Sequence, residues 1–442
     1  MSTFDTIVAP ATAVGRGALA IVRIDGPGAV GILSALAGRV PDERVATVLD
    51  IHHSGEPLDE CVVTRFAAPR SFTGNDLVEL TLHGSPLVVE RVIGACVALG
   101  ARIAEPGEFS ERAVLNGRID LLQAEAIADL VDARTALQAR LSLRNVEGFL
   151  SERAEAIREA LLHVIARLEA ALDFSEEGYE FITGEEASRA IEAMRAGVQS
   201  IAGSYERGRA TRAGLSLVIL GRPNAGKSTL LNRLVGSERA IVTPLPGTTR
   251  DIVRETIEIG GLPVTAADTA GLREGGDAVE DIGISRARQA GREADLVLYL
   301  IDSTRGRDAV DDAELAALPL TLVVATKSDL PEAAPVAGAG VTISAATGAG
   351  VNELLARLDA IVRERFAAPE SSPAIVNERQ RAAVAECNAA LGAALESLAA
   401  GAGEQYVVVD LRRAANALAA LTGAITTDDV LREIFSRFCI GK

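Results

Sequence analysis

The residues best suited to bind a polyphosphate lie in the stretch GLSLVILGRPNAGKSTLLNRL. It contains the pattern GxxxxGKS, which runs from Gly221 through Gly226 and Lys227 to Ser228. An apolar run precedes the pattern, and leucines at helical spacing follow it. This strand–loop–helix context favours a phosphate-binding loop over a chance glycine turn. Backbone N–H groups and the helix N-terminus would hold phosphate oxygens, Lys227 would reach the β and γ phosphates, and Ser228 would bind Mg²⁺.

Three further motifs follow in the order expected of a guanine-nucleotide-binding domain. LPVTAADTAGL places Asp268 at the end of a predicted strand, where a carboxylate can hold Mg²⁺ through water. TLVVATKSDL is a second strand followed by Asp329, which can pair with the N1 and N2 donors of guanine, and VTISAAT follows a third. Alternating strands and helices predict a doubly wound sheet with the nucleotide at the carboxyl ends of its strands.

The predicted GTP-binding residues fall in five short stretches. They are Asn224, Ala225, Gly226, Lys227, Ser228 and Thr229; Thr243, Pro244, Leu245, Pro246, Gly247, Thr248 and Thr249; Asp268, Thr269, Ala270 and Gly271; Thr326, Lys327, Ser328 and Asp329; and Ser344, Ala345 and Ala346.

Two positions depart from the commonest GTPase pattern. Thr326 stands where the guanine motif NKxD has Asn, and Leu272 stands where small GTPases often have a water-positioning Gln. Leucine cannot orient water, so hydrolysis must recruit another group. The segment AIVTPLPGTTRD is rich in oxygen atoms, and with Asn224 it can form a cage for a monovalent cation beside the phosphates. Such a cation would stabilise charge in the transition state as an arginine finger does.

Helical segments lie on both sides of this nucleotide domain. Residues 120–210 and 377–442 keep apolar side chains at three- and four-residue spacing, and APESSP at 368–373 reads as a linker. The economical interpretation is one helical domain split by an inserted GTPase, and two independent bundles are the alternative. The predicted boundaries are 1–118 for an N-terminal domain, 119–211 and 368–442 for the two helical parts, and 212–367 for the GTPase.

Residues 1–118 predict a small α+β domain. ALAIVRIDGPG, CVVTRFAAP and DLVELTLHG read as strands, and SPLVVERVIGACVALG reads as a helix. The segment holds Arg23, Glu79, His83 and Arg118 next to turns. Taken by themselves, these side chains are ordinary surface or structural residues, because charged residues are mostly exposed.

Composition limits the class of protein and its partners. The formal net charge is -17, so nucleic-acid binding would require a local basic patch or a basic partner. The four cysteines have neither CxxC nor metal-ligand spacing, which is typical of reduced thiols. No apolar run approaches the roughly 20 residues that span a bilayer, and no secretory signal is evident. We therefore expect a cytoplasmic protein that does not enter a membrane.

With these pieces placed, the chain resembles the MnmE (TrmE) family of bacterial and organellar tRNA modification GTPases. The resemblance covers essentially the whole length. It rests on DTIVAPAT, GRGALAIVRIDGP, SFTGNDLVEL, HGSP, PGEFSERAVLNGRIDLLQAEAIADL, GRPNAGKSTLLNRL, PGTTRD, DTAGLRE and the terminal FCIGK.

The resemblance implies chemistry and partners that the residues alone do not. It implies a homodimer joined through an N-terminal domain that binds a one-carbon tetrahydrofolate, in the 5,10-methylene or 5-formyl form. It implies an FAD- and NADH-using partner, MnmG, in a heterotetramer that adds an aminomethyl or carboxymethylaminomethyl group to carbon 5 of the wobble uridine of certain tRNAs. MnmG would supply much of the basic RNA surface.

The resemblance also assigns roles to particular residues of this chain. Folate contacts fall on Arg23, Glu79, Arg118 and Lys442; potassium ligands fall on Asn224, Thr243, Leu245 and Thr248; Mg²⁺ falls on Ser228 and Thr249; and water positioning falls on Glu280.

The terminal CIGK is not a prenylation box, because Gly441 and Lys442 occupy its last two places. The family ends in the same way, with this tail reaching the folate pocket. Cys439 can therefore serve as a thiol in the modification chemistry, and we count it as a candidate catalytic residue. The alternative is a small residue packed near the pocket.

Two rival functions remain at this point. One is a regulatory GTPase of ribosome assembly without modification chemistry, which would need neither the folate-like N-terminal segment nor the FCIGK tail. The other is a folate-dependent aminomethyltransferase that uses GTP hydrolysis as a timer, and it differs mainly in where the carbon is transferred.

Overall fold

The computed structural model describes most of the chain. The described residues are 5–174, 181–236, 239, 241, 254–268, 288–367, 374–425, 428–436 and 438–441. They form two compact units, each assembled from separate stretches of sequence. The first comprises Met1–Ala128, Asn145–Met194 and Ala389–Lys442, and the second comprises Asp129–Arg144 and Arg195–Asn388.

The first unit contains a six-stranded mixed sheet. Its strands are β1 (Ile7–Pro10), β2 (Leu19–Asp25), β3 (Thr47–His53), β4 (Glu56–Phe66), β5 (Leu77–His83) and β6 (Arg102–Ile103), in the spatial order β3-β4-β5-β2-β1-β6. Alternate residues of β2 and β5 are buried under α1 (Ala29–Ala37) and α2 (Pro86–Ala98), as a sheet with one covered face requires. The opposite face carries Arg23 and Glu79.

Helices complete the first unit. They are α3 (Glu108–Leu115), α6 (Phe149–Asp173), α13 (Glu404–Thr422) and α14 (Asp428–Phe435), with parts of α4 (Leu121–Asp132), α7 (Gly184–Ala202) and α12 (Glu378–Ala399). Helix α6 precedes the nucleotide-binding segment in sequence and α13 follows it, and the two pack against each other. The helical segments on the two sides therefore share a core, as the split-domain interpretation expects.

The second unit is an α/β layer structure. Its sheet has the order β12-β11-β10-β7-β9-β8. The strands are β7 (Leu215–Gly221), β8 (Arg254–Ile259), β9 (Leu262–Asp268), β10 (Leu296–Asp302), β11 (Thr321–Thr326) and β12 (Val341–Thr342). Only β8 pairs in the antiparallel sense. The described helices that lie wholly in this unit are α8 (Tyr205–Ala213), α9 (Lys227–Val235), α10 (Ala309–Leu315) and α11 (Val351–Arg365). Residues 136–144 of α5 (Ala136–Val146) also belong to it.

The central strands of this sheet are buried on both faces. Residues 296–301 of β10 are all buried, as expected for a parallel strand covered by helices on each side. The predicted combination of an α+β N-terminal part, helices and an α/β nucleotide-binding part is confirmed. Among the described residues, no helix is long and apolar enough to cross a bilayer.

Candidate functional site

The phosphate-binding loop joins the end of β7 to the start of α9. Gly221 ends the strand with φ 136°, and a Cβ there would collide with the carbonyl oxygen of Leu300 in the neighbouring strand. Gly226 caps the helix in the left-handed region, with φ 95°. Both positions require glycine, so the loop can curl back over the helix N-terminus and direct its N–H groups toward an anion.

The Lys227 ammonium lies along this loop. It donates hydrogen bonds to the carbonyl oxygens of Gly221 at 2.9 Å and Arg222 at 2.8 Å. Ser228 and Thr229 are exposed in the first turn of α9. The ammonium and these hydroxyls can therefore be offered to a polyphosphate at the helix N-terminus, where the helix dipole favours negative charge.

Asn224 lies at the tip of the loop. Its backbone is in the left-handed region, with φ 62°, which asparagine tolerates better than most residues, and its side chain is exposed. Arg222, at the start of the loop, pairs with Asp308 and Asp311, 3.3 Å from the latter. The Asn224 side chain is accessible to solvent at this position.

The guanine motif lies at the carboxyl end of β11. Thr326 is buried, and its hydroxyl donates to the Ala225 carbonyl at 2.8 Å. The following Lys327 takes φ 58°, and its ammonium lies 2.7 Å from Asp302 at the end of β10. Ser328 and Asp329 are exposed beyond it. The loop that would hold the base is therefore tied to the loop that would hold the phosphates.

Hydrogen-bond partners stabilise the ionised form of Asp302. Burial alone would raise the pKa of Asp302, but hydrogen bonds from Lys327 and Thr304 hold that pKa below its usual value. The ion pair fixes the stem of the Lys327 side chain beside the base-binding loop.

The third motif follows β12. Ser344 is buried, and its hydroxyl accepts a hydrogen bond from the Thr347 N–H at 3.1 Å. The carbonyls of Ala345 and Ala346 accept hydrogen bonds from Arg233 of α9 at 3.3 and 2.7 Å. The predicted stretches 224–229, 326–329 and 344–346 therefore converge at the carboxyl edge of one sheet, although residues 224 and 346 are 122 positions apart in sequence.

The remaining predicted nucleotide contacts are described in part or lie outside the described residues. Asp268 ends β9 and pairs through its backbone with Ile219 of β7, which places it at the same edge of the sheet. The predicted residues outside the described ranges are Thr243, Pro244, Leu245, Pro246, Gly247, Thr248, Thr249, Thr269, Ala270, Gly271, Glu280 and Lys442, together with Leu272.

A second cluster of predicted residues lies in the first unit. Arg23 and Glu79 face each other across β2 and β5, with Nε 2.9 Å from Oε1. The Arg23 guanidinium also lies 5.7 Å from the centroid of the Phe72 ring and donates to the Gly441 carbonyl at 3.4 Å. Arg118 donates from Nε to the Ser71 carbonyl at 3.1 Å. The structure thus brings Arg23, Glu79 and the chain terminus together, and it places Arg118 in contact with the loop that carries Phe72.

The terminal tail is held against the sheet by close backbone contacts. Gly441 has φ 94°, and a Cβ there would collide with the carbonyl oxygen of Pro10. Two residues earlier, the Cys439 carbonyl accepts a hydrogen bond from the Gly107 N–H at 3.3 Å. These contacts explain how residues more than 400 positions apart in sequence meet at Arg23.

The four cysteines differ in accessibility. Cys61, Cys96 and Cys387 are buried, and burial raises the pKa of each thiol to about 12. Cys439 is exposed next to the docked tail. Accessibility therefore singles out Cys439, as a reactive role would require.

Sequence reasoning missed a buried group of charges beneath the second cluster. Asp25 and Arg112 are buried and lie 3.0 Å apart, and Arg112 also pairs with Glu108 at 3.0 Å and with Asp5 at 2.5 Å. Nothing in the spacing of these residues indicates burial, since charged side chains are normally exposed. It also missed Phe72, which an aromatic in the polar stretch SFTGND could have indicated.

The phosphate loop, the guanine motif and the mainly parallel sheet define the second unit as a P-loop GTPase domain of the Ras-like class. A family model of the MnmE helical domain matches residues 121–439, and a model of the GTP-binding protein TrmE N-terminus matches residues 6–118. The chain therefore belongs to the MnmE family.

Full-length relatives agree with this assignment. The chain is 43% identical over 448 residues to the tRNA modification GTPase MnmE of Azoarcus sp. (strain BH72), covering 99% of this chain and 98% of the relative. It is 44% identical over 450 residues to the tRNA modification GTPase MnmE of Neisseria meningitidis (strain Z2491), covering 99% of each. As a member of this family, the chain is a GTP-hydrolysing enzyme.

Solved structures show only a partial likeness to the chain. Aquifex aeolicus Era bound to GDP and AlF4⁻ is 27% identical, with a TM-score of 0.26, over 40% of this chain and 66% of that one. The G domain of the T. maritima FeoB iron transporter is 21% identical, with a TM-score of 0.25, over 34% of this chain and 99% of that one.

Proposed function

We propose that this chain uses GTP hydrolysis to drive the addition of an aminomethyl or carboxymethylaminomethyl group to carbon 5 of the wobble uridine of certain tRNAs, together with the FAD-dependent partner MnmG. One observation carries the proposal. Besides a GTPase domain, the chain holds a separate cluster in which Arg23 meets Glu79 and the chain terminus at Gly441. A purely regulatory GTPase has no use for this second cluster, whereas a tRNA modification enzyme needs a place for a substrate.

The nucleotide site fits GTP and its two cations. The exposed Ser228 hydroxyl at the start of α9 is a suitable Mg²⁺ ligand, together with Thr249, and the exposed Asn224 amide is a suitable oxygen ligand for K⁺. Thr243, Leu245 and Thr248 complete the proposed potassium set, and Glu280 positions the attacking water. The cations neutralise charge on the phosphates, while Lys227 and the loop N–H groups bind and orient them.

The second cluster fits a one-carbon tetrahydrofolate. It offers the Arg23 guanidinium and the Glu79 carboxylate. Arg118 contacts the neighbouring loop at Ser71, and Lys442 comes next in sequence after the docked Gly441. A folate has a hydrogen-bonding ring at one end and carboxylates at the other, which suits this mixture of charges. When bound, the 5,10-methylene or 5-formyl form supplies the carbon. The exposed Cys439 thiol lies on the same tail and is a candidate participant.

The proposed assembly is a homodimer joined through the N-terminal domain and combined with MnmG in a heterotetramer. A net charge of -17 opposes direct binding of tRNA over most of this chain's surface. A basic partner can supply that surface and hold the anticodon near the folate. We place this assembly in the cytoplasm, where both GTP and tRNA are present.

Wobble nucleosides of tRNA test this function directly. A strain that lacks the gene should lose the modified wobble uridines, and mass spectrometry of digested tRNA should show uridine or thiouridine in their place. The wild-type gene should restore the modification, and Lys227→Ala should not, because the ammonium that binds the phosphates is lost. Unchanged nucleosides together with altered ribosomal subunit profiles would contradict the proposal and favour a GTPase of ribosome assembly.

A further inference from the structure

The loop at 71–76 is fixed from below by a buried carboxylate. Asp25 has no exposed surface, and it accepts hydrogen bonds from the Thr73 hydroxyl, from Asn75 Nδ2 at 3.0 Å and from Arg112 Nη1 at 3.0 Å. A carboxylate is buried at low cost only when its oxygens are well supplied with donors. Two of the three donors belong to this loop, so the loop conformation is part of what makes the buried charge tolerable.

Hydrogen bonds from Asn116 and Arg118 also hold the backbone of this loop. Asn116 Nδ2 donates to the Thr73 carbonyl at 2.7 Å, and Arg118 Nε donates to the Ser71 carbonyl at 3.1 Å. Within the loop, the Ser71 hydroxyl donates to the Asn75 carbonyl at 2.5 Å. Every second residue of the stretch is thus tied to its surroundings, and Phe72 lies between two of these fixed points.

Phe72 lies between two kinds of residue, one apolar and one charged. Part of its side chain packs on a small apolar cluster that includes Ile7, Leu77 and Phe109. The ring also lies 5.7 Å from the Arg23 guanidinium, which Glu79 holds at 2.9 Å. Phe72 is only half-buried, so part of the residue remains accessible to a ligand near the Glu79 carboxylate and the Arg23 guanidinium.

We propose that Phe72 contacts the bound ligand, and that Asp25 is the positioning residue that holds it there through Thr73 and Asn75. The ligand class is a flat heteroaromatic ring with hydrogen-bonding groups on its edge. This inference rests on the proposed function, in which that ring is the pteridine of a reduced folate, and it adds a specificity-determining residue to that site.

The chemistry of the cluster suits such a ring. The Phe72 ring offers an aromatic surface, the Glu79 carboxylate accepts from ring N–H or amino groups, and the Arg23 guanidinium donates to a ring carbonyl. Attraction between the Arg23 guanidinium and the aromatic ring keeps the three groups together before ligand binds. An aliphatic side chain would fill the same apolar contact but would lose the aromatic surface.

Phe66 provides a matched control. It is also half-buried, packs on the same apolar cluster, and has a guanidinium, that of Arg44, 5.5 Å from its ring centroid. It lies on β4, away from Arg23. Calorimetry with the full chain and 5-formyltetrahydrofolate should show that Phe72→Leu raises Kd about tenfold or more, as expected for loss of one aromatic contact. Phe66→Leu should change Kd less than about twofold, although it should lower Tm about as much as Phe72→Leu does.

The Asp25 part of the proposal has its own test at Thr73. Thr73→Val removes the hydroxyl with little change of shape, and we expect Kd for 5-formyltetrahydrofolate to rise about tenfold. Thr73→Ser keeps the hydroxyl, so its Kd should stay close to the wild-type value even if its Tm falls. If Thr73 were purely structural, the Kd of Thr73→Ser would rise as its Tm fell. A Kd unchanged in both Phe72→Leu and Thr73→Val would overturn the inference while wild-type binding still supported the folate proposal. No folate binding by the wild type would overturn both.

Discussion

The Thr326 hydroxyl donates a hydrogen bond to the Ala225 carbonyl at 2.8 Å, which links the guanine motif to the phosphate loop. Thr326 is buried, so water cannot replace the hydroxyl if it is lost. This bond indicates a role for the threonine that replaces the usual Asn: it aligns the base-binding loop with the phosphate loop. We therefore expect Thr326→Val to weaken GTP binding by about tenfold, the effect of leaving one buried carbonyl unpaired.

Fluorescent-nucleotide titration measures that effect. Thr326→Ser keeps the hydroxyl and should bind GTP within about twofold of the wild type. Discrimination against ATP should survive in both variants, because Asp329 and not Thr326 faces the base in the proposed site. If Thr326→Val binds as tightly as Thr326→Ser, the hydrogen bond to Ala225 contributes nothing and another contact must align the loops.

The docked tail makes a second prediction at Gly441. Its φ of 94° and its approach to the Pro10 carbonyl leave no room for a Cβ, so Gly441→Ala should displace the tail from Arg23. We expect loss of the wobble modification in vivo and at least a tenfold weaker affinity for 5-formyltetrahydrofolate, on the order of one lost charged contact. GTP hydrolysis should remain near the wild-type rate, because the nucleotide motifs lie in the other unit.

Gly38→Ala is the control for backbone strain. Gly38 also has a positive φ, 63°, but a Cβ there meets nothing within 4 Å. This variant should keep both modification and folate affinity. Deleting the last four residues, CIGK, should reproduce the Gly441→Ala phenotype, and a deletion that still restored the modification would mean that the tail only packs.

Two glutamates of α3, Glu108 and Glu111, should contribute to folding stability with opposite dependences on pH. Burial alone would raise the pKa of Glu108, but the hydrogen bond from Arg102 and the charge of Arg112 hold that pKa below the usual 4.5. Burial, and then the charge of Glu108, raise the pKa of Glu111 above 4.5. The ionised form of Glu108 therefore stabilises the fold at neutral pH, whereas the ionised form of Glu111 costs stability.

Thermal unfolding at a series of pH values checks both signs. Glu108→Gln should destabilise the protein by about 3 kcal/mol at pH 7, as expected when one partner of a buried ion pair is removed. This difference from the wild type should shrink as pH falls from 4.5 through the lowered pKa of Glu108. Glu111→Gln should raise Tm at pH 7, and its gain should vanish as pH falls through the raised pKa of Glu111 toward 4.5. Parallel pH profiles for the two variants would contradict the assigned environments.

The sequence predicts the nucleotide site well because each of its motifs is contiguous and follows a strand. Parallel strands bring their carboxyl ends to one edge, so Asn224, Thr326 and Ser344 can be placed together without knowing a single long-range contact. The strand pairing of Arg23 with Glu79 is different. It depends on the register of β2 against β5, 56 residues apart, and only the resemblance to a family pointed to the pair in advance.

The buried residues that position the second cluster could not be predicted from the sequence. Asp25 and Arg112 carry the same residue types as any surface pair, and only the folded chain shows that both are buried. Phe72 stands out in the sequence only as an aromatic in the polar stretch SFTGND, and its proximity to Arg23 is visible only in the folded chain. The predicted domain boundaries at 118, 211 and 367 remain predictions, because a boundary depends on contacts that a single sequence does not reveal.

The final prediction concerns potassium. Leu272 occupies the place of the usual glutamine, so another group must stabilise the transition state. The Asn224 side chain is exposed at the tip of the phosphate loop, where it can contribute an oxygen to a cation beside the phosphates. A charge placed like an arginine finger is worth roughly 10³–10⁵ in rate, which corresponds to about 4–7 kcal/mol. We therefore expect GTP turnover to be at least about tenfold faster in KCl than in NaCl at matched ionic strength.

Three variants separate the cation from other effects of salt. Asn224→Ala should abolish the difference between KCl and NaCl while nucleotide still binds, because Lys227 and the loop N–H groups remain. Asn232→Ala is the matched control, since Asn232 is exposed on α9 of the same unit but lies outside the loop, and it should keep the full difference. Glu280→Ala should slow hydrolysis in both salts without changing nucleotide affinity. Equal wild-type turnover in the two salts would refute the cation cage and require another group to replace the missing glutamine.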